Sequence, residues 1–371
     1  MKVKYVDFAL QYANERDQIW SSLDRVLSSG KYILGEEVEK FEDKFSALCD
    51  TKFAIGVANG TDALTLSMEA LGIGKGDQVI TVPNSWVSSA SSIALVQARP
   101  VFVDVREDQN IDPFKIEKVI TSKSKAILPV HLTGKCADMD PIIKIAEKYD
   151  LSIIEDAAQS VNARYKGRTS GSMGICGCFS LHPLKNLNAA GDAGIITTNN
   201  IELAEKLYLL RNHGLKSRNE VLCWGYNSRL DELQASILNS RLNKISKITE
   251  KRRKFAELYR EKLKDVVYCP MDDEGCFDVY HLFVIQTPER DRLQEYLFDN
   301  GVQTGIHYPT PIHLQPCAKY LGYEIDDFPN TEKQSSRILS LPMHNELSNN
   351  DIEYVADKII EFFSINRIND G

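Results

Sequence analysis

Two side chains in this sequence have the types and the placement for carbonyl chemistry. Ile153-Ile154-Glu155-Asp156-Ala157-Ala158-Gln159 puts carboxylates at the end of a short apolar run. That run reads as a buried strand, and ligands of open α/β sheets sit beyond the carboxyl ends of the strands. An aspartate there serves either as a helix cap or as the partner of a protonated heterocyclic nitrogen. Lys185 follows 29 residues later, in Pro183-Leu184-Lys185-Asn186-Leu187, with almost no other charge nearby in sequence. A desolvated lysine has a depressed pKa and becomes a nucleophile for carbonyls. A lone loop lysine is ordinarily a solvated one. Asp156, and Ser180 as a phosphate-binding hydroxyl, favour the reactive reading.

A phosphate site needs backbone N–H groups at a helix start. Asn59-Gly60-Thr61-Asp62 follows a strand and opens a helix. Gly60 permits close backbone approach and Thr61 offers a hydroxyl, so this segment reads equally as an anion site or a plain N-cap. Gly72-Ile73-Gly74-Lys75-Gly76-Asp77 has the reverse order, helix before strand, and reads as a connecting loop. No Walker A pattern occurs.

The elements that must hold these residues alternate in type. Strands are expected at residues 52–58, 78–82, 101–105, 126–131, 151–155 and 194–198. Helices are expected at 63–71, 87–97, 140–149 and 201–211. This alternation argues for a mostly parallel sheet covered on both faces. The pattern changes after about residue 227. Long amphipathic helices at 230–242 and 245–263 lead into a strand at 281–286, a helix at 290–300, an extended stretch at 302–307 and a last helix at 350–363. A large domain over 1–245, N-terminal arm included, and a smaller α+β domain over 246–371 are expected.

Composition narrows the class. The chain has 371 residues, with 44 Lys plus Arg against 52 Asp plus Glu, a net charge of −8. Nucleic-acid binding through clustered positive charge is not expected. No apolar run of membrane-spanning length occurs and the N-terminus shows no secretory signal, so a cytoplasmic protein is expected. The eight cysteines show only an isolated C-x-C at Cys176 and Cys178. Reduced thiols and no metal site are expected.

These residues also carry a resemblance. The sequence resembles the DegT/DnrJ/EryC1/StrS family of sugar aminotransferases that depend on pyridoxal phosphate (PLP), over essentially its whole length. The matching segments include Ser29-Gly30-Lys31-Tyr32-Ile33-Leu34-Gly35, Asn59-Gly60-Thr61-Asp62, Glu155-Asp156-Ala157-Ala158-Gln159 and Pro183-Leu184-Lys185-Asn186-Leu187. They also include Arg211-Asn212-His213-Gly214, Gly225-Tyr226-Asn227-Ser228-Arg229-Leu230-Asp231-Glu232 and His307-Tyr308-Pro309-Thr310-Pro311-Ile312-His313. Each is weak alone; together, in this order, they are specific.

The resemblance implies PLP fold type I: a large domain with a mostly parallel sheet flanked by helices, and a smaller α+β C-terminal domain. It implies that Lys185 carries PLP covalently and moves the proton at Cα. Asp156 would pair with the ring nitrogen, and Gln159 would sit near the phenolic oxygen. Gly60, Thr61 and Ser180 would hold the phosphate. Trp86 would stack on the ring, where the family usually has Phe or Tyr. Asn227 would reach the phosphate of a neighbouring subunit, which makes the active unit a homodimer with shared sites. The substrates implied are an amino donor, glutamate, and a nucleotide-linked keto-hexose. Gly191-Asp192-Ala193-Gly194 and the 307–313 segment resemble members that aminate C3 of the sugar. Arg229, His307, Tyr308 and His313 are candidates for substrate contact. Three rival readings stand beside this one, the last an NAD-dependent sugar dehydrogenase on an α/β fold, against which the missing glycine fingerprint argues. The first is a PLP-dependent sugar dehydratase, in which histidine replaces the lysine. The second is a PLP-binding regulator without catalysis.

Overall fold

The computed structural model describes residues 2–369. Seven strands form the main sheet. From edge to edge they run Phe53–Val57, Gly194–Thr198, Cys176–Ser180, Ser152–Asp156, Ser124–Ile127, Gln78–Thr81 and Arg99–Phe102. Gly194–Thr198 is antiparallel to both of its neighbours; the other contacts between adjacent strands are parallel. The central strands are buried along nearly their whole length, which fits the apolar run read at 151–155.

The expected strands and helices of the first two-thirds are present, with shifts of a few residues at 99–102 and 124–127. Three elements of five residues or more in this part lie outside the expectation. The strand Cys176–Ser180 was hidden by its small residues, Cys-Gly-Cys. Two N-terminal helices, Phe8–Ser29 and Glu36–Cys49, precede the first strand. Asp7 caps the first of these by accepting from Leu10 N–H at 3.1 Å, and Gly30 ends it in the left-handed region at φ 67°.

The two largest apolar cores among the described residues divide the molecule. One lies around the sheet and its helices. The other gathers the long helix Ile245–Leu263, the antiparallel pair Phe283–Gln286 with Ile338–Leu341, and the last helix. The chain's beginning crosses to this second core: Val3 is buried there and pairs with Val302. Tyr5 and Phe8 are thereby carried to the rim of the cavity described next.

Among the described residues no helix is long and apolar enough to cross a membrane. Also among them, no group of three or more His, Cys, Asp or Glu side chains is placed to hold a metal ion.

Candidate active site

The carboxyl edge of the parallel strands faces a cavity of about 740 Å³ that Arg252, His281, Leu282 and Met343 also line. Asp156 ends its strand at this edge and is buried. Its Oδ2 accepts from Ser89 Oγ at 2.7 Å, and its Oδ1 from Ala158 N–H at 3.2 Å. Burial pushes its pKa up. The Ser89 and Ala158 donors and the Lys185 charge pull the other way.

Lys185 ends a short turn, its N–H donating to His182 O at 2.8 Å. Its side chain is half-buried and lines the cavity. Burial lowers its pKa to about 8 against the opposing charge of Asp156. The next residue, Asn186, ties this turn to the segment just before the strand Phe283–Gln286. Its Nδ2 donates to Val279 O at 3.1 Å, and its Oδ1 lies 3.3 Å from His281 Nδ1.

Gly60 begins the helix Gly60–Ala70, capped by Asn59 Oδ1 accepting from Asp62 N–H at 2.8 Å. A Cβ on Gly60 would lie 2.7 Å from Ser180 Cβ, and one on Gly194 would lie 2.3 Å from Asn59 O. Both glycines are required by this close approach. A Gly60→Ala variant should therefore bind an anionic ligand at this helix start about tenfold more weakly, the helix start having to move away from Ser180. Titration of the variant with PLP checks this; unchanged affinity would contradict it. Thr61 Oγ1 lies 2.8 Å from Ser88 Oγ.

The opposite wall is aromatic. Trp86 is 58% exposed and its ring centroid is 5.6 Å from that of Tyr308. His307 stacks on Tyr5 at 5.9 Å, and its Nδ1 lies 2.8 Å from Ser340 Oγ. Burial, then the Lys185 charge, lowers its pKa to about 4. Burial and the Asp156 charge push the Tyr308 phenol up. Gln159 is buried beside it, its Oε1 accepting from Thr133 N–H at 2.7 Å.

The DegT/DnrJ/EryC1/StrS aminotransferase family profile matches residues 13–360. The chain belongs to this family. It is an aminotransferase of the PLP-dependent fold type I architecture. It is 43% identical over 98% of its length to the pleiotropic regulatory protein of Geobacillus stearothermophilus, of which it covers 99%. It is also 43% identical to dTDP-3-amino-3,6-dideoxy-alpha-D-galactopyranose transaminase of Aneurinibacillus thermoaerophilus, over 96% of this chain and 98% of that one. The solved structure of S. venezuelae DesV in complex with a ketimine intermediate superposes with a TM-score of 0.94 at 39% identity. That match covers 97% of this chain and 98% of DesV.

Three of the aminotransferase's expected site residues lie away from this cavity. Asn227 is exposed, in a backbone bridge with Asn212. Arg229 donates to Asn212 Oδ1 at 3.3 Å. His313 is a correction to the expected sugar pocket. It is 2% exposed, packs edge-on against Phe328 at 4.7 Å and has Nε2 3.1 Å from Glu332 Oε1. The turn after Pro311 directs it into this neighbouring aromatic cluster.

Other residues reach the cavity without having been expected there. His281 is buried and held far below its ordinary pKa by burial, then by the Lys185 charge. Arg252 is buried too, with Nη1 donating to the carbonyls of Tyr280, His281 and Met343 at 2.9, 3.2 and 2.8 Å. Helical phase would have found Arg252. It stands three, four and seven residues before Phe255, Ala256 and Tyr259, all buried on the same face. Its neighbours Lys251 and Arg253 concealed it in a run of cations.

Proposed function

We propose that this aminotransferase moves an amino group from L-glutamate to a nucleotide-linked 3-keto-hexose with pyridoxal phosphate as cofactor. The observation that supports this best is the meeting of Lys185 and Asp156 in one cavity, with the lysine pKa lowered to about 8. The residues present fit the cofactor. The narrow approach between Gly60 and Ser180 is a cradle that a single Cβ would fill, at a helix start suited to a phosphate. Gly60, Thr61 and Ser180 would hold that phosphate. Asp156 would hold the ring nitrogen, Gln159 the side of the phenolic oxygen, Trp86 a ring face, and Lys185 the covalent link. When bound, PLP supplies a carbonyl for amines and an electron sink for the bond broken at Cα.

The chain's own groups supply charge, orientation and proton movement. Asp156 presents a negative charge to the ring nitrogen and keeps it protonated. Lys185 Nζ accepts and returns a proton, which a pKa near the working pH favours. His281 and His307 remain neutral and add no positive charge beside Lys185. His307 and Tyr308 line the part of the cavity proposed for the sugar.

A homodimer belongs to the same proposal. Asn227 would serve a partner's phosphate, and Arg229 a partner's substrate. Support comes from their placement outside their own cavity and beside exposed apolar residues: Trp224 is 95% exposed and Leu222 54%. A cytoplasmic location is part of this reading as well.

The lowered lysine pKa makes a pH prediction. The rate at which the cofactor-free enzyme captures PLP should rise with pH and level off above about 8. With the ordinary lysine value, only roughly 0.3% of the amine would be free at that pH. Stopped-flow absorbance checks the profile; a midpoint near 10 would contradict it.

The deciding experiment incubates the enzyme with glutamate and a panel of nucleotide keto-sugars and reads products by mass spectrometry. Equal amounts of amino-sugar and 2-oxoglutarate are expected. A dehydratase would consume the sugar without making amino-sugar, and a non-catalytic regulator would yield neither product. The dTDP-sugar transaminase similarity supports beginning with dTDP-linked 3-keto-hexoses.

A further inference from the structure

The turn that leaves the strand Gln78–Thr81 enters the helix Ser88–Leu95 through a run of serines. Ser88 and Ser89 are adjacent, so their side chains leave the helix about 100° apart. Ser88 Oγ meets Thr61 Oγ1 at 2.8 Å. Ser89 Oγ donates to Asp156 Oδ2 at 2.7 Å and is itself backed by Ser85 Oγ at 2.7 Å. Ser85 and Ser89 are both buried at the cavity wall. One turn thus touches two residues of the cavity wall, Thr61 and Asp156, through two separate hydroxyls.

We propose that Ser88 and Ser89 are positioning residues that act separately on the two ends of the bound cofactor. Ser88 fixes the Thr61 hydroxyl at the phosphate end. Ser89 fixes the Asp156 carboxylate at the ring-nitrogen end and sets its basicity. The inference rests on the reading in which Thr61 and Asp156 hold the cofactor. Its physical basis is that a hydroxyl donor stabilises the charged form of a carboxylate. Without that donor the carboxylate becomes a stronger base and draws the shared proton from the ring nitrogen toward itself. The ring then withdraws electrons less well. Ser89 accordingly affects electronics, whereas Ser88 affects grip.

The test compares Ser88→Ala, Ser89→Ala and Ser89→Thr in the holoenzyme, with two readouts besides activity. One is the dissociation constant for PLP, from titration of the cofactor-free protein. The other is the pH midpoint of the bound cofactor's absorbance change. Ser89→Ala should move the midpoint by about one pH unit and leave affinity within about twofold. Ser89→Thr, which keeps the hydroxyl, should restore it. Ser88→Ala should weaken affinity about threefold to tenfold and leave the midpoint in place. An unmoved midpoint in Ser89→Ala overturns the proposal. So does a common loss of both readouts together with a lower unfolding temperature, which marks a purely structural role. Asp156→Asn is the control. If its midpoint and affinity equal those of the wild type, the assignment of Asp156 itself fails, and the serine proposal falls with it.

Discussion

Replacing Lys185 with alanine should abolish transamination and the covalent attachment of pyridoxal phosphate. The expected fall in turnover is on the order of 10⁵ or more, the scale for removing a nucleophile that also carries the proton. Two functions end together because both reside on one nitrogen: the covalent link and proton transfer at Cα. The fold should survive. Lys185 contributes a charge that burial disfavours, and the turn that carries it is held by backbone and by Asn186. The variant should therefore unfold at a temperature equal to the cofactor-free wild type, or higher. The checks are product formation with glutamate and keto-sugar, and borohydride reduction followed by peptide mass analysis. The wild type should show the reduced adduct on the peptide containing Lys185, and the variant should show none. Normal transamination by Lys185→Ala would sink the assignment of this residue.

Much of the cavity was legible from sequence because its parts obey local rules. Asp156 stands at the end of an apolar strand, Gly60 follows a strand and opens a helix, and Lys185 lies in a stretch poor in charge. Each of those contexts admits few physical meanings, and the cavity that gathers the three residues narrows the choice. His313 had none, since a histidine between prolines carries no address. Only the packing against Phe328 and the contact with Glu332 show where it points. Ser89 was illegible for a related reason. One serine among several becomes significant only when the sheet brings Asp156, 67 positions away, within 2.7 Å. The N-terminal helix Phe8–Ser29 also lacked a clean signal. Leu10, Trp20 and Leu27 are exposed on it in the single chain, which blurs the one-sided apolar pattern of an ordinary surface helix.

Asp156→Asn should separate function from stability. In the holoenzyme, turnover should fall by roughly three orders of magnitude, the upper range for removing one group that stabilises developing charge. An amide has almost the same shape but cannot hold a proton on the ring nitrogen. The cofactor-free protein should respond differently. Burial raises the folded pKa of Asp156 above its unfolded value, despite the donors from Ser89 and Ala158. The sign follows from proton linkage: such a carboxyl binds more protons folded than unfolded, so stability declines as pH rises from the unfolded value through the raised one. At neutral pH the aspartate is thus a burden on the empty fold. The surrounding hydrogen bonds can accommodate an amide. Oδ1 keeps the Ala158 N–H, the new amide donates to Ser89, and Ser89 turns its own proton to Ser85, since either serine can be the donor in that pair. Cofactor-free Asp156→Asn should unfold at the wild-type temperature or above it at neutral pH, and the difference should shrink as pH falls from the raised value toward about 4. Scanning calorimetry across pH checks the stability, and the glutamate assay checks the activity. A variant that is both active and unchanged in stability would remove Asp156 from the ring-nitrogen role. One that is inactive and strongly destabilised at neutral pH would make the carboxylate a structural element of the sheet edge. The expected pattern, loss of activity without loss of stability, is that of a charge retained for chemistry at a cost to the empty protein.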